Sequence, residues 1–396
     1  MFDLVLSNVC LNGALTDIGI AGGRIAAIGP GLEAGAATVE DGAGCQLLPG
    51  LIEAHTHLDK NLLEMDWVEN VVASDIKAKI DNERHLKGVT GLDPARQSAR
   101  QVVMSIAKGS TAIRSHVDID TQYGLAGFEG VAATRQRYAD AIDIEIVAFP
   151  QSGMLVRPGT IELMDEALRQ GADVVGGIDP CSMDRDPKGH LDVVFELATK
   201  HGKPIDIHVH EPHELGMFTF EMIIERTRAH GLGGNVTVSH AFALGANDYL
   251  AVAKLLERIA EAGIALMSTG PSMVPVPPLL RALDAGITVC SGTDGMRDFW
   301  NPYGNADMLE RARILAERNN LSRDAEVERA LEVCTYGGAR VMKLADYGLE
   351  VGNYADLVLV AGRNPVEAIV TLPPRKLVLK RGRVVARDGV ALVEAA

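Results

Sequence analysis

Short β-rich segments alternate eight times with amphipathic helical segments through the middle of this 396-residue sequence, and further β-rich pieces stand at both ends. Such an alternation over roughly 250 residues predicts a (β/α)8 TIM barrel. The flanking pieces predict a small β-sandwich domain formed by both chain termini. The expected division is residues 1–49 plus 345–396 for the small domain and 50–344 for the barrel. A third observation agrees: ionisable residues gather at the C-terminal ends of the barrel strands, where barrel enzymes carry their chemistry. A doubly wound sheet is the alternative, but no Gly-x-Gly-x-x-Gly follows an early strand.

The elements follow in order. Asp3–Ser7, Thr16–Ala21 and Arg24–Ile28 read as strands separated by Asn-Gly and Gly-Gly turns. The barrel strands are expected to end near His57 and Asp118, at Gln151, Asp179, Glu211 and His240, near Thr269 and at Asp294. Helical periodicity covers Ala95–Lys108, Gly159–Gln170, Leu191–His201, Phe218–His230 and Asp248–Ala262. Ala355–Val360, Lys376–Lys380 and Arg383–Ala386 return to strand patterning.

Composition bounds the function. Apolar residues make up 47% and charged residues 23%, ordinary values for a globular chain. The net charge of −15 argues against nucleic acid and anionic membranes as partners, since both need a basic face. Cys10, Cys45, Cys181, Cys290 and Cys334 are scattered and contain no CxxC pair, which argues for a reducing compartment and against a thiolate metal site. With no basic-plus-apolar leader and no apolar run of membrane-spanning length, the expected location is the cytoplasm.

His55-Thr-His57 carries the strongest chemical signal. Two histidines at i, i+2 on a strand share one face and form half of a metal site. Alone, the pattern also fits two surface histidines. His208-Val-His210 ends another strand, and Asp294 ends the last. Three imidazoles and one carboxylate would hold one divalent metal, Zn or Fe(II), and leave room for water. Glu211 would stand at the rim as a general acid/base, and His240 would orient the water. His116 reads as a pocket or core histidine rather than a ligand. His85, His190, His201 and His230 read as surface or helix-end residues, and Lys60 as a salt-bridge partner.

The motif Pro49-Gly-Leu-Ile-Glu-Ala-His-Thr-His resembles the first-strand motif of the amidohydrolase superfamily. Arg114-Ser-His-Val-Asp, Val147-Ala-Phe-Pro-Gln-Ser-Gly and Asp298-Phe-Trp-Asn-Pro-Tyr-Gly resemble its cytosine deaminase branch. Gly176-Gly-Ile-Asp-Pro and Arg297-Asp-Phe-Trp resemble N-isopropylammelide isopropylaminohydrolases. The resemblance spans essentially the whole chain. It implies metal ligation by His55, His57, His208 and Asp294, with Glu211, His240 and Asp294 as catalytic residues. It also implies Gln151 and Trp300 at the substrate, with His210 lining the pocket, and a homo-oligomer. Where cytosine deaminases carry a second acid and a histidine, this sequence has Gly295 and Thr293.

The expected activity is hydrolytic deamination of a small N-heterocycle, cytosine-like, in which metal-bound hydroxide attacks the amine-bearing ring carbon and ammonia departs. The alternative is release of an alkylamine from a substituted triazine, favoured if the space above Gly295 accepts an alkyl group. A non-catalytic binding barrel is the remaining reading. It predicts loss of ligands or of the acid/base, and none is lost.

Overall fold

The computed structural model describes residues 1–72, 75–246 and 248–394. Five strands lead the chain: β1 Leu4–Leu11, β2 Ala14–Ala21, β3 Arg24–Gly29, β4 Val39–Asp41 and β5 Gln46–Pro49. Eight follow in the middle: β6 Leu51–Thr56, β7 Ser110–Asp118, β8 Asp143–Phe149, β9 Val174–Ile178, β10 Ile205–Val209, β11 Val236–His240, β12 Ile264–Met267 and β13 Val289–Cys290. Four close the chain: β14 Leu357–Val360, β15 Arg375–Lys380, β16 Arg383–Arg387 and β17 Val390–Ala391.

β6 to β13 pair in sequence order, all parallel. The first strand also meets the end of the last. Ala54 N–H donates to Ser291 O at 3.0 Å and Asp294 N–H donates to His55 O at 2.9 Å. The eight strands therefore form a nearly closed (β/α)8 barrel. Gly292 permits that approach, because a Cβ there would collide with the His55 carbonyl. β9, β10 and β11 are buried on both faces, as expected where helices cover a parallel sheet.

The helices start where acceptors stand ready. Asp93 accepts from the N–H groups of Ala95 and Arg96 ahead of the helix Pro94–Ala107. Asp75, Asp186, Asp248 and Asp307 cap other helices in the same way. Pro212 stands just ahead of a helix rather than inside one. It precedes the first turn of His213–Ala229, where a missing N–H costs nothing.

The terminal strands form a separate nine-stranded mixed sheet, ordered β17-β16-β15-β14-β5-β1-β2-β3, with β4 beside β1. Its strands alternate between two cores. Leu47, Leu357, Leu359, Leu377 and Leu379 join Leu4, Leu6, Ile18 and Ile20 in a core of the sheet's own. Leu48, Val358, Val360 and Val378 join the barrel's core.

A buried ion pair ties the two units together. Arg375 of β15 pairs with Asp307, the cap of the helix Met308–Arg318, and its Nε donates to Lys108 O at 2.9 Å. Arg375→Met leaves the buried Asp307 with only the half-exposed Lys108, 3.7 Å away, as its cation, so stability in urea is expected to fall by about 3 kcal/mol, the low end for breaking a buried pair. An unchanged unfolding midpoint would show that the pair contributes nothing. All five cysteines are free. Among the described residues, no helix is long and apolar enough to cross a membrane.

Candidate metal centre and active site

The barrel strands deliver four side chains to one point at their C-terminal ends. His55, His208, His240 and Asp294 each offer a ligand atom, and these atoms lie within 4.8 Å of one another. His240 belongs to this tight group, although the sequence assigned it to the water. His57 lies beside the group, with Nε2 3.2 Å from Asp294 Oδ1, while His55 Nε2 is 3.7 Å from the same oxygen. Adjacent strand residues normally face opposite ways, yet Ser239 and His240 both serve the interior. His240 achieves this by leaving the extended conformation, with φ of 71°; Asp294 does likewise at 62°. Such backbone costs energy and persists where the surrounding structure holds it in place.

The protonation states suit a cation. His55 Nε2, both nitrogens of His208 and His240 Nε2 are buried and bonded to no protein group. Burial, reinforced by neighbouring imidazoles, holds His55 and His208 well below the usual histidine range, and His240 falls to about 3. These rings are neutral, with free lone pairs. Burial opposes ionisation of Asp294, but the His57 hydrogen bond and the surrounding rings outweigh it and keep the group a carboxylate. His57 Nδ1–H donates to His116 O at 3.0 Å, which fixes the ring with Nε2 as the nitrogen facing Asp294. Buried donors without partners, in a set of imidazoles and one carboxylate, fit a single Zn or Fe(II) ion.

A cavity opens beside this cluster. His57, His208, His210 and Asp294 line it together with Lys60, Gln151, Asp298 and Trp300, and Phe149 stacks on His208 at 4.1 Å. His210 Nδ1 is paired with Asp179 Oδ2 at 2.8 Å, so its Nε2 is the atom left for a ligand. Burial works against the charged form of His210, but Asp179 raises its pKa above the ordinary value. Trp300 carries an indole N–H with no protein partner.

Gln151 is fixed in one orientation. Its Oε1 accepts from Lys60, while its Nε2 donates to Glu83 at 3.0 Å and to Asp118 at 3.3 Å. Both amide hydrogens are consumed, so Gln151 offers only an acceptor to a bound ring. Lys60 makes its expected ion pairs, to Asp118 at 3.3 Å and Glu83 at 3.4 Å, and also faces the cavity.

Glu211 is placed differently from the rim position expected of it. Its Oε1 accepts from Cys181 N–H and Ser182 N–H, each at 2.8 Å, and Oε2 accepts from Thr219. Its carboxylate faces the Cys181–Ser182 turn, and it is not among the cavity-lining residues described. Burial, with Asp179 nearby, raises its pKa. The space above Gly295 is likewise not open to an alkyl group, because a Cβ there would collide with Asp298 Oδ2. Burial pushes Asp298 up to about 6.

Sequence reasoning missed several residues. Asp179 and Asp298 were visible as acids at or just past strand ends, but their partners were not. His190 is not at the surface: it is fully buried, with Nδ1 2.7 Å from Asp184 Oδ2, because its helix turns that face inward. His116 is buried against the His55 ring at 4.0 Å, with neither nitrogen bonded.

A nearly closed (β/α)8 barrel with one His/Asp metal site at its C-terminal mouth defines a metal-dependent hydrolase. The chain belongs to the amidohydrolase family, whose model matches residues 93–392. It is a metal-dependent amidohydrolase acting on C–N bonds. It is 32% identical over 400 residues to N-isopropylammelide isopropyl amidohydrolase of Pseudomonas sp. (strain ADP), covering 98% of each chain. The structure of N-isopropylammelide isopropylaminohydrolase from Burkholderia multivorans is 44% identical, with a TM-score of 0.95 and coverage of 99% of this chain and 100% of that one. The structure of 5-methylcytosine deaminase from Klebsiella pneumoniae with 5-fluorocytosine is 27% identical, with a TM-score of 0.85 and coverage of 99% and 98%.

Proposed function

We propose that this chain hydrolyses the exocyclic C–N bond of an N-alkylamino triazine of the isopropylammelide type and releases the alkylamine. One observation supports this leaving group above ammonia: the near full-length similarity to two relatives named for isopropylammelide, at 32% and 44% identity. A cytosine-like pyrimidine losing ammonia is the second reading, supported by the 27% likeness to 5-methylcytosine deaminase.

His55, His57, His208 and Asp294, with His240 adjoining, are the residues that would hold the metal. A divalent ion there supplies the Lewis acidity that makes water a nucleophile near neutral pH. The water oxygen bonds to the amine-bearing carbon, its proton passes to Asp294, and His240 orients it. Attack requires negative charge to be relieved on the ring nitrogen. His210 Nε2, at the cavity, is the group placed to supply that proton, and Glu211 serves there only once its carboxyl turns away from the Cys181–Ser182 amides. The C–N bond then breaks, and the amine leaves with the proton. Gln151 Oε1 accepts from a ring N–H, and the Trp300 N–H donates to a ring acceptor.

The test is a panel of N-isopropylammelide, cytosine and 5-methylcytosine with metal-loaded protein, following isopropylamine and ammonia separately. Isopropylamine release is expected. Ammonia from the pyrimidines alone would favour the second reading, and neither product would defeat both. Trp300→Phe keeps an aromatic face and removes the N–H, so KM is expected to rise about tenfold with kcat little changed, the value of roughly one hydrogen bond.

A further inference from the structure

Beneath the histidine cluster lies a polar chain that the catalytic reading leaves unused. Ser239 Oγ donates to Asp206 Oδ1 at 2.6 Å and contacts His55 Nδ1 at 3.1 Å. Asp206 Oδ2 accepts from Arg114 Nη1 at 3.0 Å, and Arg114 Nε donates to Glu145 at 2.6 Å. Arg114, Asp206, Ser239 and His55 are all essentially inaccessible to solvent. Such a chain inside a barrel needs a reason, since burying an ion pair rarely stabilises a fold on its own account.

The chemistry of each atom fixes the direction of the bonds. A serine hydroxyl has one proton to give, and the carboxylate held by Arg114 can only accept. The hydroxyl therefore receives from His55, which must carry its proton on Nδ1. The lone pair is then on Nε2, the atom that has no protein partner and approaches Asp294 Oδ1. We propose that Ser239, backed by Asp206 and Arg114, is a positioning residue that selects the metal-binding tautomer of His55 and locks its ring. Strand register supports the assignment. Ser239 of β11 lies directly beside His208 of β10, so the same row of the barrel supplies one ligand and the support for another. Ligating histidines usually donate their second nitrogen to a carboxylate or carbonyl; here a hydroxyl relays the carboxylate across one strand.

The inference rests on the His/Asp metal site, and the experiment separates the two. Zinc affinity of the full chain is measured by competition with a chelator, and the His55 tautomer by nitrogen-15 spectra of the zinc-free protein. Ser239→Ala is expected to weaken zinc about 10–100-fold, the usual loss for an outer partner of a ligand. It should also turn a pure Nδ1–H signal into a mixture. Ser239→Thr restores the hydroxyl and both readouts. If wild-type protein binds no zinc, the metal reading itself fails. If Ser239→Ala binds zinc as tightly as wild type, or keeps the pure tautomer, the relay is overturned. Equal loss in the Ala and Thr variants also overturns it, because the hydroxyl is then not responsible. Should Ser239→Ala not fold, Ser239→Val is read in its place. It has the shape of threonine without the hydroxyl, so weaker zinc and a mixed His55 tautomer are expected; an unchanged signal overturns the relay.

Discussion

Asp294→Ala is expected to lose bound metal and turnover together. Asp294 is the one carboxylate in the set, and its Oδ1 stands within 3.2 Å of His57 Nε2 and 3.7 Å of His55 Nε2. Removing it leaves only neutral imidazoles facing a dication. The loss should exceed the about 10–100-fold expected for an outer partner, so protein purified without added metal should contain almost none. His208→Ala should behave alike, since both of its nitrogens lack other partners. Metal analysis and amine release on the same samples check this. Full activity after exhaustive chelation of wild-type protein would refute the metal dependence of the centre.

Glu211→Gln carries the second large effect. If Glu211 holds the proton for the ring nitrogen, kcat should fall by about 10²–10⁴ with the metal retained. Its position allows a purely structural role to be told apart. Gln retains a carbonyl oxygen for the Cys181 and Ser182 amides, so a residue that only pins that turn would tolerate the change and leave kcat at the wild-type value. The same measurement on His210→Gln shows which of the two contacts the ring.

Local pattern carried much of this protein. Helix caps such as Asp93, the i, i+2 pair His55 and His57, and the acids ending β-rich runs are all short-range features that can be read from neighbours in the chain. Lys60 shows where such reading stops. Its ion pairs follow from its type, but its place in the cavity depends on Glu83, Asp118 and Gln151, which arrive from three other segments. Glu211 shows the same limit. Three residues past His208 it belongs near the site, yet which way its carboxylate turns is decided by the Cys181–Ser182 amides and Thr219. Gly295, next to Asp294, promised open space that Asp298, three residues further on, already fills.

The barrel, the terminal β sheet and the chemical types gathered at the strand ends are legible along the chain. Periodicity and spacing are local, and a parallel barrel turns the ends of successive strands into one mouth. Which atoms face which depends on the folded chain. His240 joins the ligand cluster because its backbone turns left-handed, and His55 presents Nε2 because a serine from another strand takes its Nδ1–H. Tautomer, amide orientation and carboxylate direction are set by hydrogen-bond partners distant in sequence, and those partners meet only once the barrel has closed.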